Sequence, residues 1–146
     1  MLNAFATRWA FRNYVVIFAD LLDACANQAE VDLIVGHEVG HLALGHILWH
    51  WLTLGGAIVP FLRQAYSRAC EFSSDRCGWA TSGNPESAMR GLLILAAGGN
   101  CARMANLAAF LQQRHDVDGF WQTVVGWFQT HPWITRRVEA IHQLQR

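Results

Sequence analysis

His37-Glu38-Val39-Gly40-His41 lies inside a proline-free, largely apolar stretch, residues 29–51, and its reading decides how the rest of the chain is understood. The stretch predicts one long helix. Each helical residue advances about 100°, so His37 and His41 stand about 40° apart and one turn along, able to offer imidazole nitrogens to one tetrahedral ion. Glu38 falls beside them, where a carboxylate can accept a proton. Two histidines and an acid at this spacing are the chemistry of zinc-assisted peptide hydrolysis, in which the metal lowers the pKa of its water and the acid takes the proton.

A second helix is predicted over residues 62–80, ending near Ser82-Gly83, and it carries Glu71-Phe72-Ser73-Ser74-Asp75. Glu71 and Asp75 share one helical face. A catalytic zinc takes three protein ligands and keeps one open position, so Glu71 is expected to complete a His₂Glu set while Asp75 orients a ligand histidine. The simpler alternative is a solvated acidic pair. A third histidine in the pattern HExxHxxGxxH is excluded, because Leu44 and Ile47 stand where that pattern needs Gly and His. His46, extrapolated along a continuous helix, points about 160° away from the histidine pair. It is expected to serve structural hydrogen bonding, and His50, His115 and His142 to be ordinary polar residues.

Outward from this centre, residues 2–8 and 13–18 are rich in β-branched and aromatic side chains and read as a hairpin turning around Arg12-Asn13. Residues 47–62 are apolar but carry His50, Gly55, Gly56 and Pro60 and are shorter than the roughly 20 residues of a spanning helix. A buried helix end and loop is expected there, with a membrane-dipping segment as the alternative. Asn84-Pro85-Glu86 is a helix start, combining a capping side chain, a first-turn proline and an acid favoured by the helix dipole. That helix should reach Ala97 and be broken by Gly98-Gly99-Asn100, with further helices over 102–114, 119–129 and 133–145. The expected class is α+β, mostly α.

At 146 residues one domain spanning the whole chain is expected. Eleven basic residues balance eleven acidic ones, so there is no electrostatic reason to expect a nucleic-acid partner. The composition, 53% hydrophobic and 15% charged with seven tryptophans, exceeds what a small soluble surface needs and suggests apolar contact with a membrane, a partner or an upstream domain. The first residues lack the basic region and long apolar run of a signal peptide, leaving cytoplasmic and membrane-associated locations both open. Cys25, Cys70, Cys77 and Cys101 have no CxxC spacing and are expected to be reduced thiols, a Cys25–Cys101 bridge being the alternative.

Taken together these residues resemble peptidase family M48, the gluzincins that include HtpX-like membrane quality-control proteases and type I CAAX prenyl endopeptidases. Asn3-Ala4-Phe5-Ala6 resembles that family's strand before the active site, and His37 to His41 with His46 resembles its extended histidine helix. Ser67-Arg68 through Asp75 resembles its Glu-x-x-x-Asp helix, and His131-Pro132 with Arg136-Arg137 its late His-Pro and arginine segment. The resemblance implies a zincin-like core: an N-terminal hairpin, the HExxH helix, the Glu-x-x-x-Asp helix and a C-terminal helical region. It implies one zinc ion on His37, His41 and Glu71, with Glu38 as base. It further implies His131 at the oxyanion, Arg137 bracing the site through an acidic partner, and Asn3, Ala4 and Phe5 on substrate backbone. A peptide or unfolded protein added to the first strand would be the substrate. Without the resemblance His131 reads as a helix-start residue before Pro132. Family members commonly carry upstream segments, so the chain resembles a catalytic core, and a non-hydrolytic zinc-stabilised interaction module is the competing expectation.

Overall fold

The computed structural model describes residues 3–48, 61–117 and 119–145. A hairpin, β1 (Ala4–Trp9) and β2 (Arg12–Ile17), precedes a helical body of α1 (Ala19–Ala24), α2 (Gln28–Ala43), α3 (Leu62–Ser82), α4 (Pro85–Ala97), α5 (Gly99–Met104), α6 (Leu107–Val117), α7 (Phe120–Phe128) and α8 (Ile134–Gln143). This is the mostly helical α+β arrangement expected. The strands pair antiparallel from Ala4 opposite Ile17 to Trp9 opposite Arg12. Their turn is Ala10-Phe11, both at positive φ, and not Arg12-Asn13. A two-residue turn of this kind favours Asn-Gly, and its absence hid the position.

The core joins α1, α2, α4 and α8 through Leu21, Leu33, Ile34, Leu92, Ile94 and Ile141. Asn27 opens α2 by accepting from the Glu30 amide at 3.0 Å, and the buried Glu30 carboxylate accepts from the Ala26 amide at 2.7 Å. Two orphan donors at the helix start are thereby satisfied. Asn84 caps α4 in the expected way, its side chain accepting from the Ser87 amide at 3.0 Å ahead of Pro85.

Among the described elements the most extensive contact is α2 on α3, and glycine makes it possible. A Cβ on Gly78 would stand 2.6 Å from the Leu33 carbonyl oxygen, and one on Gly40 would stand 2.9 Å from Cys77 Cβ. The two backbones therefore approach closely enough for side chains on α3 to reach those on α2.

Two helix predictions need correction. The helix expected over residues 29–51 ends at Ala43, where Gly45 at φ 70° supplies a left-handed stop and a new helical turn begins at 46–48. The helix expected over 102–114 is two helices, because α5 ends at Met104 and Asn106 starts α6 by accepting from the Ala108 and Ala109 amides at 3.1 and 3.2 Å. α3 stops at Gly83 as expected. The reading of residues 47–62 falls mostly outside the described residues, as does His50. Among the described residues no helix is long and apolar enough to cross a membrane. All four cysteines are free.

Candidate metal centre

α2 presents His37, Glu38 and His41 to a cleft, and α3, held close by the glycine seam, brings Glu71 against them. The Nε2 atoms of His37 and His41 are 3.2 Å apart, and each lies 3.7 Å from a carboxylate oxygen of Glu71. One ligand atom from each residue can be chosen so that all three fall within 4.8 Å of one another. A tetrahedral zinc with bonds of roughly 2.0–2.2 Å sets its ligand atoms about 3.3–3.6 Å apart. The observed separations bracket that edge, so the donor set fits the ion in kind and in spacing.

The residues behind this trio hold it in orientation. Asp75 is 1% exposed; it accepts from Arg137 Nε at 2.8 Å and from Nη2 at 2.6 Å, a two-pronged pairing. The third guanidinium nitrogen, Nη1, is 3.1 Å from Glu71 Oε2. His37 Nδ1 lies 2.9 Å from Asp75 Oδ1, at hydrogen-bond distance though poorly aligned. A proton held on Nδ1 by the carboxylate leaves Nε2 as a free donor pair facing the trio. Burial raises the Asp75 carboxyl, but Arg137 and His37 outweigh it and keep the group below the usual carboxylate range. Burial also works against the Arg137 charge, and Asp75, Glu71 and Glu38 more than restore it.

His46 is where extrapolation from sequence misleads. Because α2 stops at Ala43, the chain doubles back and places His46 Nδ1 3.2 Å from His41 Nδ1. Ser73 and Ser74 on α3 reach the same imidazole at 3.2 and 3.3 Å. His46 is a hydrogen-bonding residue, as expected, but it stands directly behind His41 and not on the far side of a helix. Gly45 was the available signal. Burial, with His37 and His46 alongside, pushes the His41 imidazole down to about 3. A neutral imidazole is the form that binds a metal.

Glu38 is buried beside the trio. Burial first, then Glu71, raises its carboxyl above the ordinary value, while His37, the Ala6 amide and Arg137 pull the other way. The Ala6 contribution ties the β1 edge to this carboxylate, a connection the sequence reading did not contain.

The cleft over these groups has a volume of about 510 Å³ and brings together Asn3, Ala4 and Phe5 of the first strand with Glu38, His131 and Arg137. β1 has a strand neighbour on one side only among the described residues. His131 arrives on the segment before α8, mostly exposed, with Nδ1 3.3 Å from Glu71 Oε1. All ten predicted site residues thus line the cleft or, in the case of Asp75, lie directly behind it.

The sequence profile of peptidase family M48 matches residues 1–61 and 48–145, and the chain belongs to that family of metallopeptidases. Among its relatives is the plastoglobule-localized metallopeptidase 48, chloroplastic, of Arabidopsis thaliana, 28% identical over 133 residues, covering 79% of this chain. The match spans 38% of that relative's length. No solved structure matches the chain.

Proposed function

We propose that this chain is a zinc-dependent metalloendopeptidase domain. The observation that carries the reading is the convergence of His37, His41 and Glu71 beside a buried Glu38, in a cleft bordered by β1, which has a strand neighbour on one side only among the described residues. Membership of a metallopeptidase family supports it.

His37, His41 and Glu71 would hold zinc, which when bound polarises the scissile carbonyl and acidifies the attacking water. Glu38 accepts the proton of that water as it adds to the carbonyl carbon and passes it to the leaving amine. Its raised proton affinity suits both transfers. His131 stands at the mouth to donate to the developing oxyanion, an interaction of the kind whose removal costs about 2.7–4 kcal/mol of transition-state stabilisation. Arg137 and Asp75 are positioning residues: they fix Glu71 and His37 from behind. Asn3, Ala4 and Phe5 pair with an extended peptide through backbone groups, which favours broad specificity for unfolded segments and a place in protein quality control. The whole is a zincin-like arrangement within a single domain.

A quenched-peptide assay on the metal-loaded chain, with and without chelator, tests the reading. Glu38→Gln should retain stoichiometric metal and lose hydrolysis, whereas full activity in that variant would refute it. Metal binding without hydrolysis in the unaltered chain would instead support a zinc-stabilised interaction module.

A further inference from the structure

The hairpin has two unlike faces. Residues opposite one another in the register share a face and successive residues alternate. Ala4 and Ile17 pack against the core on the inner face. The outer face carries Phe5 with Val16, Thr7 with Tyr14, and Trp9 with Arg12. Its large apolar side chains are all exposed, and Phe18 extends the patch with its ring 6.4 Å from Phe5. At the tip Trp9 is 74% and Phe11 95% exposed. Phe11 is placed there at φ 64° and Ala10 at φ 47°. Positive φ is costly for a bulky residue, so the turn spends stability to present an aromatic ring to solvent.

Two cations stand near the tip. Arg12 follows the two-residue turn on the outer face, and Arg8, opposite Asn13, lies on the other face one residue before Trp9; both are exposed near the tip, and no described residue hydrogen-bonds or ion-pairs with either guanidinium. So exposed a tip is suited to entering a soft phase rather than to receiving a ligand as a groove does. Tryptophan and phenylalanine beside unpaired arginines match the layered chemistry of a lipid surface, with rings at the acyl boundary and cations among phosphates.

We propose that the outer face and tip of the β1–β2 hairpin dock onto an anionic lipid surface, with Trp9 and Phe11 entering the interface and Arg8 and Arg12 pairing with headgroup phosphates. The inference does not depend on the proposed peptidase activity. It offers one outlet for the apolar surplus of the composition.

Sedimentation of the full chain with sucrose-loaded vesicles tests it, using phosphatidylcholine alone and phosphatidylcholine mixed with phosphatidylglycerol. The unaltered chain should sediment with the mixed vesicles and release as salt is raised. Arg8→Gln with Arg12→Gln should weaken that binding about fivefold per arginine, the equivalent of ~1 kcal/mol each. Trp9→Ala with Phe11→Ala should lose it while circular dichroism stays unchanged, since neither side chain belongs to the core. Hydrolysis of a soluble peptide should be unaffected in both variants, which separates this test from that of the active site. The proposal is overturned if the unaltered chain stays in the supernatant, or if the Trp9/Phe11 variant sediments equally well. A dimer that the same two substitutions dissolve would equally overturn it, since a second copy would then cover the face.

Discussion

Replacing Asp75 by alanine in the metal-free chain isolates the scaffold behind the cleft. The carboxylate is fully buried and receives two guanidinium nitrogens of Arg137 at 2.8 and 2.6 Å. Arg137 is itself buried and keeps a contact with Glu71 at 3.1 Å. Alanine would strand most of a buried cation, a change that costs about 3–5 kcal/mol because the desolvation of the remaining charge is no longer compensated. For a chain of this size each kcal/mol is worth about 2–4 °C, so the midpoint should fall by roughly 6–20 °C. Urea and thermal melts of the metal-free protein followed by circular dichroism measure it. A loss below about 1 kcal/mol would refute the view that this pair anchors α8 to α3. The pH dependence has a defined sign. Asp75 titrates below its ordinary value in the folded state, so its contribution is fully present above the unfolded carboxylate pKa of about 3.9 and is lost as pH falls through the lower folded value. The gap between the unaltered chain and the variant should therefore be constant near neutrality and close only in strong acid.

With metal present, Asp75→Ala should also weaken zinc binding about 10–100-fold, because His37 loses the group that orients it; an unchanged affinity in a chelator competition would contradict that link. Glu71→Ala should remove bound metal altogether, which elemental analysis of the purified variant measures. Gly78→Ala pushes a methyl toward the Leu33 carbonyl oxygen at 2.6 Å, a backbone atom that cannot rotate away, and should destabilise by about 1–3 kcal/mol in urea melts. Among the cysteines, Cys101 is exposed, whereas burial pushes the Cys25 thiol up to about 11. A thiol reagent at neutral pH should therefore label Cys101 first and Cys25 slowly, as mass spectrometry of partially labelled protein would show.

Much of the site is local in origin and was legible for that reason. The spacing of His37, Glu38 and His41 and of Glu71 and Asp75 puts each set on one face of one helix, and helical geometry needs no tertiary information. Caps such as Asn84-Pro85 and stops such as Gly83 declare themselves in the same way. The errors fell where a local signal was faint or misread. Gly45 ends α2 within a run of apolar residues, and Asn106 divides what looked like one helix. Ala10-Phe11 forms a turn with neither of the residues such turns favour.

Beyond the expected meeting of Glu71 and Asp75 with the histidines, contacts between elements could not be read from spacing. The sequence by itself determined which side chains could ligate a metal, the helical frames that carry them and the carboxylate beside them. Only the tertiary structure decided that Arg137 clasps Asp75 and Glu71 together, that His46 folds back behind His41, and that β1 borders Glu38. The physical reason lies in the approach of α2 and α3. A spacing on one helix is set by bond geometry, whereas the distance from Glu71 to the histidines depends on how closely two backbones pack, and that was set by what Gly40 and Gly78 lack.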